Sequence, residues 1–290
     1  MRGWTVAFGL GVAAFAGAQA PDVLLHVDAR LNYRSFNDGG TGLRWYDTLG
    51  RPSTAGVLLK VEPGLRMVVS QRFERIPGDG DPDQLDEYYV EETGNWRFGK
   101  QYLPIGLVNL VRESVVAVRS DASLRFAHLP MSFLVCDGGS GRPRGIVAQI
   151  RSVVGLSVAA GDHFGVSAAT LALVRRPEDS SGIGHGYREV FAADYEVSGG
   201  PAVVKAEFVS LHQPNEPPEV EGNFFDVSVT LRSEDRRTLG AGVTRALDAD
   251  TTVLRAFANW PVATNLSLEP LLREKDGKAY DFAVSLRLKF

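Results

Sequence analysis

Residues 25–34 alternate without exception between two kinds of side chain: Leu25, Val27, Ala29, Leu31 and Tyr33 interleave with His26, Asp28, Arg30, Asn32 and Arg34. A period of two sends successive side chains to opposite faces of a β-strand, so one face here is apolar and the other polar. The same pattern recurs at 55–62, 65–74, 85–92, 95–102, 145–158, 163–174, 187–197, 202–211, 224–233, 237–246, 251–260, 264–273 and 278–290. That makes about fourteen strands, and the period never switches to that of a helix.

The connections carry a second regularity. Those at 35–54, 75–84, 103–144, 175–186 and 212–223 are long, and the ones between them are tight: 62–64, 93–94, 161–162, 198–201 and 233–236. Every long connection therefore falls on the side opposite the N-terminus. A soluble sandwich has no reason for that asymmetry, nor for a charged face on nearly every strand. A barrel in lipid has a reason for both. Hydrocarbon cannot satisfy free backbone groups, so only helices and closed sheets span it, with apolar residues facing lipid and polar ones facing a lumen. Strands of roughly 9 to 11 tilted residues cross a bilayer, which matches the segments found. In a sandwich core, Asp28, Glu207, Asp226 and Arg255 would each need pairing against a desolvation cost of several kcal/mol. A watery lumen removes that cost. The expected fold is all-β: a transmembrane antiparallel up-and-down β-barrel of about fourteen strands, twelve or sixteen if 103–144 hides a hairpin or one strand has been split in two.

The first twenty residues read differently. Arg2 precedes an apolar run from Trp4 to Phe15, followed by the small-residue signatures at 16–18 and 18–20. This is the pattern of a secretory signal peptide, cleaved after Ala18 or Ala20, and residues 21–290 are then the barrel. The run is shorter than the roughly 18 apolar residues expected of a spanning helix. A net charge of −4 with scattered Lys and Arg gives no footprint for nucleic acid. The single Cys136 neither staples an exported chain nor has a partner at metal-ligand spacing, and no cofactor or metal is expected.

Residues 87–106 run Glu-Tyr-Tyr-Val-Glu-Glu-Thr-Gly-Asn-Trp-Arg-Phe-Gly-Lys-Gln-Tyr-Leu-Pro-Ile-Gly. This resembles a hairpin of the phosphate-selective porin O and P family, an acidic strand and tight turn followed by a Gly-Lys/Arg-x-x-x-Pro-x-Gly pattern, matched here by Gly99, Lys100, Pro104 and Gly106. The resemblance covers about twenty residues and implies a porin-like barrel in a bacterial outer membrane. The chain is shorter than sixteen-stranded members and lacks a lysine-rich loop of the kind that binds phosphate, so phosphate selectivity is not implied. The final strand also looks like the C-terminal signal read by the outer-membrane assembly machinery, carried by Tyr280, Phe282 and the terminal Phe290.

Within such a barrel the inward-pointing residues are Asp28, Arg30, Glu62, Arg66, Arg97, Asp194, Asp226, Arg232, Arg255, Glu269 and Arg287. Their mixed signs fit a cross-strand ion-pair lattice that stiffens the wall. In general porins the third outer loop folds into the lumen, and the third long connection here, 103–144, carries Arg112, Arg119, Asp121, Arg125 and His128. A basic loop in the lumen gives weak anion preference; the same charges on an outer loop would only meet solvent. The stretches 115–118 and 131–136 are apolar enough that this connection packs against something.

His163 and Ser167 share a strand face but stand four residues apart with no acidic orienter, which does not make a nucleophile–base pair. The expected activity is not enzymatic: passive diffusion of small hydrophilic solutes, with a non-conducting envelope anchor or adhesion scaffold as the alternative. Partners would be the outer-membrane lipid bilayer, the assembly machinery and those solutes, with a homotrimer left open.

Overall fold

A computed structural model describes residues 22–36, 41–46, 51–74, 84–107, 110, 114–124, 129–137, 143–152, 163–173, 186–212 and 222–290. The segment 1–20, expected as the signal peptide, and the candidate residues Arg112, Arg125 and His128 lie outside the described residues.

The alternating segments are strands as expected. They are β1 (Asp22–Phe36), β2 (Thr41–Arg44), β3 (Thr54–Glu62), β4 (Leu65–Arg72), β5 (Leu85–Glu92) and β6 (Trp96–Tyr102). Next come β7 (Ser114–Leu124), β8 (Leu129–Asp137), β9 (Pro143–Ser152), β10 (His163–Leu173) and β11 (Gly186–Gly199). The rest are β12 (Ala202–His212), β13 (Gly222–Arg232), β14 (Thr238–Ala246), β15 (Thr251–Ala263), β16 (Leu266–Lys275) and β17 (Lys278–Lys289).

From β3 onward each strand pairs antiparallel with its sequence neighbour, and β3 and β17 pair with opposite edges of β1, so the sheet closes into a ring. Both β2 and β3 lie along one edge of β1, β2 opposite Asn32–Ser35 and β3 opposite Asp22–Asp28. They are two halves of one wall stave, so the seventeen strands make a sixteen-stave barrel. Phe290 closes the ring at its base: its N–H donates to Val27 O at 3.0 Å and its O accepts from Val27 N at 2.7 Å.

The strand count corrects the expectation of about fourteen, and the reason is local. The stretch 103–144, expected as one long loop, contains the hairpin of β7 and β8, so Arg119 and Asp121 belong to the wall. These strands do not alternate between apolar and polar. Val118, Phe133 and Val135 are exposed on the outer face, while Val115, Ala117, Leu134 and Cys136 on the inner face are buried. A strand covered on both sides reads as a continuous apolar run and loses its period-two signal.

Elsewhere the outer face is apolar and uncovered, as Leu25, Phe98, Leu231, Leu239 and Leu272 show. The opposite face carries buried charge: Arg30, Arg72, Glu91, Asp194, Glu207, Asp226 and Asp281. This is the pattern of a soluble protein turned inside out.

Candidate functional site: the barrel lumen

Inward-pointing charges meet across neighbouring staves because the ladder registers place them side by side. Arg287 on β17 donates to Asp28 on β1 through Nε at 2.8 Å and Nη2 at 2.7 Å, and through Nη1 to Glu269 on β16 at 3.1 Å. Arg30 stands 3.3 Å from Asp28 and 3.5 Å from Glu269, and Asn259 donates to Glu269 at 2.8 Å. Four staves are thereby cross-linked by one lattice. Higher on the same wall, Asp281 accepts from Arg34 and from Arg273, each through Nε at 2.9 Å.

Arg255 on β15 reaches over β14 to Asp226 on β13 and binds both carboxylate oxygens, at 2.6 and 2.8 Å. It can do so because Gly242 lies beneath it, where a Cβ would stand 2.8 Å from the guanidinium carbon. On the opposite flank, Glu91 on β5 is held by Arg66 and, at 2.6 Å, by Arg97, whose guanidinium lies 4.1 Å from the centre of the Tyr89 ring. Arg119 and Asp121 pair with each other at 2.7 Å and with Ser132. Asp194 is buried beside Glu207 in the β11–β12 register. Glu62 and Arg232, by contrast, are exposed at the turn ends of β3 and β13.

The segment following β6 turns into the lumen. Leu103 and Ile105 are fully buried against Val115, Ala117, Leu134, Cys136, Val147, Ala169, Val190, Ala192 and Val209, side chains drawn from β7 to β12. The segment is then fixed by polar contacts from three of these same staves. Gly106 N–H donates to Ser167 on β10 at 2.9 Å, and Gln149 on β9 donates to Gly106 O at 3.4 Å. Glu207 on β12, 1% exposed, accepts the backbone N–H of Leu107 at 3.0 Å and of Leu110 at 3.3 Å, one on each oxygen. A buried carboxylate that receives two N–H groups satisfies donors that would otherwise lie in the lumen unpaired. Gly106 adopts φ 55°, and a Cβ there would stand 2.1 Å from the Glu207 Oε1, so only glycine brings the backbone this close.

A second intrusion comes from the break between β2 and β3. Residues Ala29–Leu31 of β1 have no ladder partner on that side, and the hydroxyl of buried Ser53 fills the gap. It accepts from Arg30 N at 2.7 Å and donates to Arg30 O at 3.0 Å. Two residues earlier, Arg51 projects into the interior. One cavity of about 630 Å³, lined among others by Leu110, Asp226, Arg255, Phe257, Glu269 and Arg273, and a second of about 470 Å³, lined by His26, Asp28, Asp86, Tyr102 and Leu107, share Arg30, Arg51 and Arg287. The two therefore lie on either side of the same three arginines, with Leu110 lining the first and Leu107 the second.

The expected wall charges are thus largely brought together, whereas the inward segment is built by different residues from those singled out. Leu103, Ile105, Gly106 and Leu107 form it, with Glu207 and Ser167 as anchors. Ser167 contributes its hydroxyl to that anchorage. Arg51 was missed because a stave broken by an insertion leaves no periodic signal. The hairpin glycines and lysine that carried the family resemblance have structural roles: Gly99 at φ 129° packs against the Tyr88 carbonyl, and buried Lys100 donates to Leu85 O.

A closed sixteen-stave barrel with a segment folded into its lumen after its fifth stave, β6, has the porin fold. No protein-family model and no curated protein sequence matches the chain. Solved structures do. Vibrio cholerae OmpT, in its in-vitro folded trimer form, matches with 13% identity and a TM-score of 0.64 over 94% of this chain and all of its own. Salmonella typhi OmpF in complex with daunomycin matches with 10% identity and a TM-score of 0.63, over 93% and 98%. The anion-selective porin from Comamonas acidovorans matches with 11% identity and a TM-score of 0.60, over 93% and 100%. At these identities the likeness is one of fold.

Proposed function

We propose that the chain is an outer-membrane channel through which small hydrophilic solutes diffuse passively, with weak anion preference. The observation that carries this reading is a pair of charge-bearing cavities that share Arg30, Arg51 and Arg287 inside a barrel whose outer face is apolar. Among the described residues lining them, Arg30, Arg51, Lys205, Arg255, Arg273 and Arg287 outnumber Asp28, Asp86, Asp226 and Glu269. An excess of fixed positive charge favours anions. The Comamonas acidovorans neighbour is itself described as anion-selective.

Planar bilayers holding the refolded protein in a KCl gradient test both parts. Discrete conductance steps with a reversal potential of anion-preferring sign are expected; a cation-preferring sign would remove the selectivity. A second reading, a non-conducting envelope scaffold, is favoured by the apolar cluster packed on the inner faces of β7 to β12. Silence over a range of voltages and salts would establish it in place of the channel.

The remaining parts of the proposal follow from location. The lipid bilayer surrounds the apolar outer face, the assembly machinery engages the strand ending in Phe282 and Phe290, and a homotrimer is tested by cross-linking in membranes. Cleavage of the signal peptide after Ala18 or Ala20 predicts a mature N-terminus at Gln19 or Pro21, readable by terminal sequencing. The short hairpin resemblance to the porin O and P family does not extend to phosphate selectivity, since the sequence has no lysine-rich loop of the kind that binds phosphate.

A further inference from the structure

The larger cavity is not lined by charge alone. On its wall Phe257 of β15 stands directly opposite Leu271 of β16, which stands opposite buried Ala283 of β17. On the other side Phe257 faces Gly240 of β14, where a Cβ would lie 2.3 Å from the ring's Cζ. The ring therefore lies flat over the β14 backbone, occupying the place of a missing side chain. Leu110 from the inward segment lines the same cavity. The result is an apolar band bounded above by Arg255 and Arg273, engaged by Asp226 and Asp281, and below by the Arg30, Arg51 and Arg287 group, where the carboxylates of Asp28 and Glu269 stand against Arg30 and Arg287.

A path for inorganic ions gains nothing from such a band, because apolar surface facing water carries an unfavourable hydration term. A solute with an apolar body and one anionic end gains at both of its ends. We propose that this cavity is a transient binding site for organic monoanions with an apolar body, aromatic or branched-chain carboxylates, the carboxylate against Arg51, Arg30 and Arg287 and the body against Phe257 and Leu271. The inference rests on the channel reading and narrows its solute class. Ligand sites generally combine an apolar lining with a few polar groups that fix orientation, and this cavity has that composition.

The probe is 3-phenylpropionate, with acetate and inorganic phosphate as controls, added to the full-length protein passing chloride in a planar bilayer. Phenylpropionate is expected to interrupt the chloride current at a concentration about tenfold below that needed for acetate or phosphate, the factor for partial burial of an aromatic ring. Phe257→Ser and, independently, Leu271→Thr should shrink that ratio towards one. Arg51→Gln should weaken block by all three anions together. Equal block by phenylpropionate and acetate in the unaltered protein overturns the proposal, as does a ratio untouched by either apolar substitution. A barrel that passes no chloride overturns the channel reading instead. Equilibrium dialysis of phenylpropionate and acetate against the protein in detergent then decides the site separately, and absence of preferential phenylpropionate binding would overturn it.

Discussion

Glycine at position 242 illustrates how one absent methyl group can organise three strands. A Cβ there would also come within 2.8 Å of the Val227 carbonyl oxygen, and since the backbone is fixed by the ladder it is the Arg255 head that must give way. Gly242→Ala is expected to displace Arg255 from Asp226 and to cost about 1 to 3 kcal/mol, read from urea unfolding in detergent micelles. Neighbouring positions separate the two faces of the wall. Val227→Arg places a charge on the outer face and should cost roughly 2 to 4 kcal/mol if that face meets lipid near mid-depth. Asp226→Asn keeps the shape but weakens a bidentate pair, so it should cost less than Val227→Arg. The reverse ranking would mean that the register is displaced by one residue. Asp226 and Arg255 could be read from the sequence as inward charges, because alternation is a property of the strand alone. Their pairing could not, because it depends on what is missing from the strand between them.

At the scale of elements, the segment after β6 behaves as a strap across the lumen, and the anchor that takes two of its backbone N–H groups is a single carboxylate, Glu207. Glu207→Gln retains an acceptor for one of the two backbone N–H groups, and Glu207→Ala retains none. Current fluctuations in single-channel records should therefore increase in the order unaltered, Gln, Ala; a quiet Ala variant would show that the apolar contacts of Leu103 and Ile105 hold the strap without help. The same element explains the largest misreading of the sequence. Because the strap covers the inner faces of β7 and β8, those strands bury residues on a side where the other staves carry charge. Their apolar character was visible in 115–118 and 131–136, but the period that identifies a strand was not. Leu103 and Ile105 gave no warning either, since two apolar residues beside a proline fit a loop as well as a plug.

For the whole molecule, closure is what the ladder registers impose, and closure has a simple signature. A hydrogen-bonded ring without edges resists detergent at room temperature, so the protein should migrate as a compact band on a denaturing gel and shift on boiling. A single unshifting band would contradict the closed ring. Removing Phe290 deletes both backbone bonds between the last residue and Val27, and is expected to slow assembly in membrane-insertion assays. The fold class was legible because fourteen segments repeated one pattern. The lumen was not, because its shape depends on two irregular pieces, the strap and the inserted Arg51–Ser53 corner, that follow no period.

That corner has a consequence for motion. On either side of the Ala29–Leu31 gap the half-staves β3 and β2 hold β1 by ladder bonds, but at Arg30 the task falls to one serine hydroxyl that can rotate away. The wall therefore has a weak seam beside its most heavily charged stretch, and the seam can be timed. Amide exchange at Arg30 should be faster than at Asn32, which keeps its backbone partner Arg44. Ser53→Ala should accelerate it further, leaving a buried N–H without its acceptor at a cost of about 1 to 3 kcal/mol. Exchange at Arg30 as slow as at Asn32 in that variant would mean that the two half-staves are joined more tightly than a single hydroxyl allows. If the seam does breathe, the guanidinium of Arg30 moves with its backbone, and the aperture is set by the tempo of a side-chain rotor as much as by the width of the barrel.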